Sequence, residues 1–311
     1  MAVPYLQPIL WTMQMLIVEY RKEYFLMSKL QANISGIIKS SVIDGPGNRM
    51  VIFFQACNLN CLYCHNSHTI GLCNLCGICV DACPTNSLQI DTENKRILHQ
   101  ENTCMRCDSC IKSCPENSSP FYKKMSVEEI VSEIHKVRDF ISGITVSGGE
   151  VMLQVDFLRL LFQTIKSDKE LSHLSILIDS NGNIAQDKWD SILPFTDGVM
   201  LDLKAFSQEN HKKITGYSNE TILESIQYLD KRKKLKELRF VLVKGMNNHE
   251  DELRKVSQFM SSVSASVGKS IIKMRKHGIR DEYAFVEEPN ADDMEMARNI
   301  FEESGLNVLM I

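Results

Sequence analysis

The chain has 311 residues, 44% of them hydrophobic and 24% charged, with a formal net charge of −4 and an isoelectric point near 6.1. That much apolar material excludes a disordered chain, and the mild acidity argues against a nucleic-acid binder. One main domain with the composition of a soluble globular protein is expected.

Cysteine usage narrows the compartment. All 11 cysteines, an odd number, fall between Cys57 and Cys114, and none occurs in the longer part of the chain that follows. A disulfide framework is not distributed in this way, so a reducing cytosol is expected. Near the N-terminus, Tyr5 to Val18 is apolar, but it contains Pro8 and Gln14, lacks preceding basic residues and is too short to span a bilayer. Residues 1–30 are read as a peripheral extension with no membrane role, and Met27 is a natural alternative start.

Two strand-like runs follow, Ile34 to Ser41 and Met50 to Gln55, separated by the turn Asp44-Gly45-Pro46-Gly47 and then Asn48 and Arg49. The second run leads directly into Cys57-Asn58-Leu59-Asn60-Cys61-Leu62-Tyr63-Cys64. From Gly71 to about Ser118 periodicity disappears, and two copies of C-x2-C-x2-C-x3-C-P occur, Cys73 to Pro84 and Cys104 to Pro115. Such an internal repeat reads as a small domain, residues 71–118, inserted in a loop of a larger one, residues 31–70 and 119–311.

Beyond the insert, a capping-box pattern at Ser126-Val127-Glu128-Glu129 opens a helix to about Phe140. Strands are expected at 143–147, 174–180, 198–204, 238–243 and 269–274, and helices at 155–165, 219–230, 250–263 and 291–304, with a poor helix at 187–192. Counting the strand before Cys57, this makes six βα units, which imply parallel strands and right-handed crossovers. Six fall short of the eight of a closed barrel, so an α/β fold of the partial (β/α)6 barrel type is expected, with ligands at the C-terminal strand ends.

The paired cysteine runs carry the strongest local chemistry. In pairs of this kind the fourth cysteine serves the other cluster, which groups Cys73, Cys76, Cys79 and Cys114 in one 4Fe-4S site and Cys104, Cys107, Cys110 and Cys83 in a second. Zinc is the alternative for four thiolates. Eight cysteines are then used, and Cys57, Cys61 and Cys64 remain. Three thiolates would hold a cube whose fourth iron stays open for another molecule; the alternative is a structural metal completed by His65 or His68.

Other features sit at expected strand ends. In Ser147-Gly148-Gly149-Glu150 the glycines admit close approach to a ligand and Glu150 can bind an ammonium, although a turn is the commoner meaning of a glycine pair. Asp179-Ser180-Asn181-Gly182 ends another strand. Alternation puts Met200, Asp202 and Lys204 on one face, and Arg239 on a face with Val241 and Val243. The basic run Lys231 to Lys236 reads as a solvated helix end.

Together, Asp44 to Arg49, Val51 to Cys57, the C-x3-C-x2-C trio, Ser147 to Glu150, Asp202-Leu203-Lys204 and the paired cysteine runs resemble the radical S-adenosylmethionine superfamily. Within it they resemble the glycyl radical enzyme activating enzymes, of the pyruvate formate-lyase activase type, and most of all the YjjW-like branch with a two-cluster ferredoxin-like insert. The resemblance runs from about Ile34 to Gly278.

It implies S-adenosylmethionine and three 4Fe-4S clusters as cofactors, with the open iron chelating the amino and carboxylate groups of S-adenosylmethionine. One electron would release methionine and a 5′-deoxyadenosyl radical, which would take hydrogen from a backbone glycine of a partner glycyl radical enzyme. A flavodoxin or ferredoxin-type donor, a monomeric state and anaerobic, cytoplasmic operation are implied as well. By the same resemblance, Tyr63 lies beside the adenine, with His65 in the cofactor-binding set. Gly148, Gly149 and Glu150 match the methionine-amine contact, Asp202 and Lys204 the motif for amine and carboxylate, and Arg239 and Val241 another cofactor-contacting pair. Asp179, Ser180, Met200 and Asp202 match a monovalent-cation site, with Ser180 in place of the usual threonine. Asp44 falls where activases meet the glycine loop, and Arg275 stands where many members carry a ribose-binding histidine. The competing readings are a radical maturase that leaves no stored radical and an iron–sulfur electron carrier.

Overall fold

The β-branched and aromatic runs pair into one nine-stranded sheet in a computed structural model that describes residues 30–311. The N-terminal segment and its alternative start at Met27 lie outside the described residues, apart from Leu30. The strands of this sheet are β1 (Gln31–Ser41), β2 (Arg49–Phe54), β5 (Lys123–Ser126), β6 (Gly143–Gly148), β7 (Ser175–Ser180), β8 (Gly198–Leu203), β9 (Leu235–Leu242), β10 (Gly268–Lys273) and β11 (Leu309–Met310). A separate antiparallel hairpin is formed by β3 (Leu88–Asp91) and β4 (Arg96–His99).

The large sheet has the order β11-β10-β9-β8-β7-β6-β2-β1-β5. Every neighbouring pair from β2 to β11 is parallel, whereas β1 and β5 add antiparallel strands at one edge. A short turn joins β1 to β2, and only an antiparallel pair can be closed that way. Between the parallel strands run α4 (Val155–Ser167), α5 (Gln186–Ile192), α6 (Gln208–Thr215), α7 (Glu220–Lys231) and α8 (Glu250–Ser262), with α9 (Ala291–Glu303) before β11. The helix opened by Ser126 is shorter than expected. It closes its capping box, Ser126 N donating to Glu129 Oε2 at 2.7 Å, but α3 spans only Val127–His135 before a separate turn at Arg138–Phe140. Among the described residues no helix is long and apolar enough to cross a membrane.

Strand alternation divides the sheet into two chemically different faces. Ile144, Val146, Ile176, Ile178, Val199 and Leu201 are fully buried with Leu158, Leu161 and Phe162 of α4 and Ile222 and Ile226 of α7 in the main core. Period-2 geometry turns the residues between them, Thr145, Ser147, Asp179, Met200 and Asp202, to the opposite face. That polar, concave face carries the site.

The cysteine-rich segment leaves and rejoins the sheet at one point, where Thr69 pairs with Ser118 and Gly71 N donates to Asn117 O at 3.1 Å. Its two halves have the same backbone. The short helices α1 (Ile78–Asp81) and α2 (Ser109–Lys112) each follow a left-handed residue, Gly77 (φ 84°) and Asp108 (φ 59°). Asn86 and Asn117, three residues after the last cysteine of each half, share a φ of 51°.

Candidate active site

After β2, Ala56 takes a φ of 85° and turns the chain out of the sheet. The loop that follows is pinned on both sides. Ala56 N and Cys57 N donate to Thr69 O and Ile70 O at 2.8 and 2.9 Å, while Asn60 N and Leu62 N donate to Thr215 O and Ile214 O, each at 3.0 Å. Thr215 and Ile214 end α6, a helix absent from the sequence reading, so the C-terminus of that helix holds the three-cysteine loop.

Cys57, Cys61 and Cys64 line one cavity of about 280 Å³ with Tyr63, His65, Gly148, Gly149, Asp179, Ser180, Asp202, Lys204 and Val241. Its volume is near the lower end of the range for small-molecule sites. Burial pushes the Cys57 thiol up to about 12 and the Cys61 thiol up to about 11, and raises Cys64 as well. The free thiols are therefore neutral, and a metal group binding them must displace protons. Gly148 (φ 119°) and Gly149 crowd β2 so closely that a Cβ on Gly149 would lie 2.1 Å from Ala56 O.

Along the wall of the cavity, two cations and two carboxylates form a continuous chain, of which only Arg239 lies beneath the lining. Arg239 on β9 donates through Nε to Asp202 Oδ1 at 2.7 Å and through Nη2 to Asp179 Oδ1. Lys204 Nζ donates to Asp202 Oδ2 at 3.1 Å, and Ser147 Oγ donates to Asp179 Oδ2 at 2.8 Å. Burial opposes every one of these charges. At Asp202 it is outweighed by Arg239 and Lys204, which hold the carboxyl at about 2; Asp202 in turn raises Lys204. Asp179 goes the other way, because burial and the neighbouring Asp202 outweigh Arg239. Of these two cations Lys204 reaches the cavity, which Lys273 also lines; the Lys204 ammonium lies 5.8 Å from the centre of the Tyr63 ring. The Tyr63 hydroxyl is buried there without a hydrogen-bond partner among the described residues.

Several expected ligands are placed differently. Glu150 is fully buried and does not line the cavity; its carboxylate accepts from Met152 N (3.0 Å), Ser180 Oγ (2.8 Å) and Asn181 N (2.7 Å). It ties the turn after β6 to the end of β7 and is not presented to an ammonium, and burial raises its carboxyl to about 7. Arg239 lies under the cavity, and Met200 is buried beside it without lining it. The expected cation position between Asp179 and Asp202 is taken by the Arg239 guanidinium, which supplies the counter-charge. Arg275 has an exposed side chain and meets the site only through its carbonyl, which accepts from His65 Nε2 at 2.7 Å.

Asp44 lies at the other end of β2. Its carboxylate accepts from Ser41 Oγ, and its carbonyl accepts from Thr145 Oγ1 at 2.7 Å, one strand step (about 7 Å) below Ser147 on the concave face. Fully buried Arg49 bolts this turn to the sheet, donating to Thr145 Oγ1 at 2.7 Å and Ser175 Oγ at 2.9 Å. Sequence reasoning passed over Asn181 and Arg280. Asn181 Nδ2 donates to Asn58 Oδ1 at 2.8 Å, and Arg280 Nη2 to Cys61 O at 3.1 Å. The position of Asn181 directly after Asp179 and Ser180 at a strand end was the available clue.

In the cysteine-rich segment, Cys83, Cys104, Cys107 and Cys110 line a second cavity of about 300 Å³. Around Cys79, burial and the neighbouring Cys73, Cys114 and Cys76 push the thiol up. Among the described residues no three His, Cys, Asp or Glu side chains converge as a single bound ion requires.

Three thiols on one loop, at the C-terminal ends of parallel strands, suit three corners of an iron–sulfur cluster. Beside them, Lys204 and the unpartnered Tyr63 hydroxyl suit a polar ligand in the same cavity. The chain belongs to the radical SAM superfamily, whose family model matches residues 51–256, and membership implies a 4Fe-4S cluster and S-adenosylmethionine. Among its relatives, the pyruvate formate-lyase 1-activating enzyme of Escherichia coli (strain K12) is 29% identical over 281 residues, 86% of this chain and 94% of the relative. The trans-4-hydroxy-L-proline dehydratase activating enzyme of Clostridioides difficile is 30% identical over 293 residues, 86% and 95% of the two chains. Among solved structures, QueE from Escherichia coli aligns with a TM-score of 0.53 at 11% identity, over 93% of this chain and 97% of that one. A radical SAM methyltransferase from Sphaerobacter thermophilus aligns with a TM-score of 0.54 at 10% identity, over 85% and 66%. These two likenesses concern the fold alone.

Proposed function

We propose that the protein is a glycyl radical enzyme activase. When bound, a 4Fe-4S cluster with one open iron supplies reductive cleavage of S-adenosylmethionine to methionine and a 5′-deoxyadenosyl radical, which takes hydrogen from a backbone glycine of a partner enzyme. The observation that carries this reading is the convergence of Cys57, Cys61 and Cys64 with Gly148, Gly149, Asp202 and Lys204 on one cavity. The names of the relatives, activating enzymes for pyruvate formate-lyase and for a dehydratase, favour it over a maturase.

The chain's own residues divide the work. The three cysteines hold the cluster, and Asp202 and Lys204 offer a charge pair to the amine and carboxylate of S-adenosylmethionine. Gly148 and Gly149 leave room for backbone contact, while Tyr63, His65 and Val241 wall the site against water. Glu150 and Arg239 are positioning residues that hold the strand ends in register, and Arg239 supplies the charge a monovalent cation would bring to Asp179, Ser180, Met200 and Asp202. The Asp44 turn faces the partner's glycine loop.

Residues 71–118 form a ferredoxin-like insert of the YjjW-like kind within the barrel of residues 31–70 and 119–311. It holds two further 4Fe-4S clusters, on Cys73, Cys76, Cys79 and Cys114 and on Cys83, Cys104, Cys107 and Cys110. The shared cavity of the second set and the crowding of the first set around Cys79 support both groupings. The protein works as a cytoplasmic monomer under anaerobic conditions, reduced by a flavodoxin or ferredoxin-type carrier.

Anaerobic reconstitution with S-adenosylmethionine and dithionite should generate 5′-deoxyadenosine; its absence from fully iron-loaded protein would overturn the reading. A glycyl radical EPR signal on a co-purified partner distinguishes the activase from a maturase.

A further inference from the structure

The two halves of the insert repeat the same backbone but surround their sulfurs with different chemistry. Each half gives its last cysteine a backbone donor: Ser87 N to Cys83 Sγ at 3.3 Å, and Ser118 N to Cys114 Sγ at 3.4 Å. Side chains break the symmetry. Thr85 Oγ1 lies 3.7 Å from Cys83 Sγ, and Ser109 Oγ lies 3.3 Å from Cys107 Sγ. A ligating thiolate can only accept, so in the loaded protein Ser109 donates to Cys107, and Thr85 donates to Cys83 while accepting from Ser87 Oγ, 2.7 Å away. Repeat alignment puts Glu116 opposite Thr85 and Ile78 opposite Ser109, so the twin has a carboxylate and a hydrocarbon at these positions. Glu116 Oε1 accepts from Asn74 Nδ2 at 3.0 Å, beside Cys73. Among the described residues the twin's one further hydrogen bond to a sulfur is Leu75 N to Cys73 Sγ at 3.4 Å, and the Tyr122 hydroxyl beside Cys73 bonds to its backbone.

A third donor faces the same four cysteines. His99 lines their cavity with its ring packed at a 54° tilt against Phe121, centroids 4.5 Å apart, and its Nε2 is sealed from solvent without a hydrogen-bond partner among the described residues. An unpaired buried ring nitrogen costs free energy unless something fills the cavity and accepts from it, and a cluster sulfide is such an acceptor. Arg106 and Asp108 also line the cavity and oppose each other in charge.

Hydrogen bonds to cluster sulfurs stabilise the extra negative charge of the reduced state and raise the potential, whereas a nearby carboxylate lowers it. Resting on the two-cluster reading above, we propose that Thr85, Ser109 and His99 set the cluster on Cys83, Cys104, Cys107 and Cys110 at a higher reduction potential than its twin. When a ferredoxin- or flavodoxin-type carrier gives the insert one electron, that electron reduces this cluster by one charge while the twin stays oxidised. A second electron is needed to reduce the twin.

The test is an anaerobic potentiometric titration followed by EPR on the full chain carrying Cys57→Ala, Cys61→Ala and Cys64→Ala, so that only insert clusters report. About eight irons per chain and two separate reduction waves are expected. Ser109→Ala, Thr85→Val and His99→Leu should each lower the upper wave and leave the lower one in place, Ser109→Thr should restore it, and Glu116→Thr should raise the lower wave. A single wave at full iron content, or variants that move both waves together, would overturn the assignment of these donors. Only about four irons would instead sink the two-cluster reading on which the proposal rests, and iron content serves as the folding check for every variant.

Discussion

Arg239 is the group whose loss should be felt most sharply. Replacing it with Gln removes one guanidinium from two carboxylates, with the three side chains only 15–23% exposed. Asp202 would retain Lys204, but Asp179 would keep only the Ser147 hydroxyl. Breaking a buried pair costs roughly 3–5 kcal/mol. The lower figure is expected, because Asp202 stays paired and Asp179, already raised by burial, can take up a proton. A loss of about 3 kcal/mol corresponds to a melting temperature lowered by roughly 5 °C for a chain of this size. The sign of the pH dependence follows from the same residue. With its folded-state pKa above the unfolded value, Asp179 binds more protons in the folded variant, so stability is lost as pH rises and the deficit is smaller at the lower of two pH values above the ordinary carboxylate range. Adding Asp179→Asn should recover most of the loss, whereas adding Asp202→Asn should deepen it by stranding Lys204. Thermal melts of the iron-loaded protein at both pH values decide it. A variant within about 2 °C of the parent, or equal rescue by the two Asn substitutions, would refute the network as described.

Changing Cys57, Cys61 or Cys64 to Ala should abolish 5′-deoxyadenosine formation while about eight irons remain, a count made by iron analysis beside product chromatography. Gly149→Ala places a Cβ against the backbone oxygen of Ala56, with a cost of at least about 2 kcal/mol; chemical denaturation should show the loss, and iron binding at the three-cysteine loop should fall with it. Two groups give the pH profile of stability opposite slopes. Asp202, held at about 2, contributes stability that is present above its unfolded pKa and lost as pH falls through about 2. Glu150, raised to about 7, stabilises the protonated fold, so stability declines as pH rises from its ordinary value to about 7. Melting curves across that window should lose the decline in Glu150→Gln.

Much of the fold and site was legible in the chain itself, because the signals are local. Period-2 and period-3.6 runs placed β2 and β6 to β10 and the helices from α4 onward apart from α6, and Ser126 and Glu129 close the capping box their spacing announced. Counting cysteines set Cys57, Cys61 and Cys64 apart from the paired runs, and the fold brings those three to one cavity. The helix α6 escaped notice because its Gln208 to Lys213 turns are almost wholly polar, yet its last residues hold the cysteine loop. Only the tertiary structure decided what the charged residues at the strand ends do. Asp202 faces Arg239 because β8 and β9 pair in that register, and Glu150 is consumed by donors from β7, 30 residues away in sequence. A carboxylate in a sequence carries no mark of whether it will meet a ligand or a buried neighbour; strand register and burial make that choice, and both are properties of the assembled sheet.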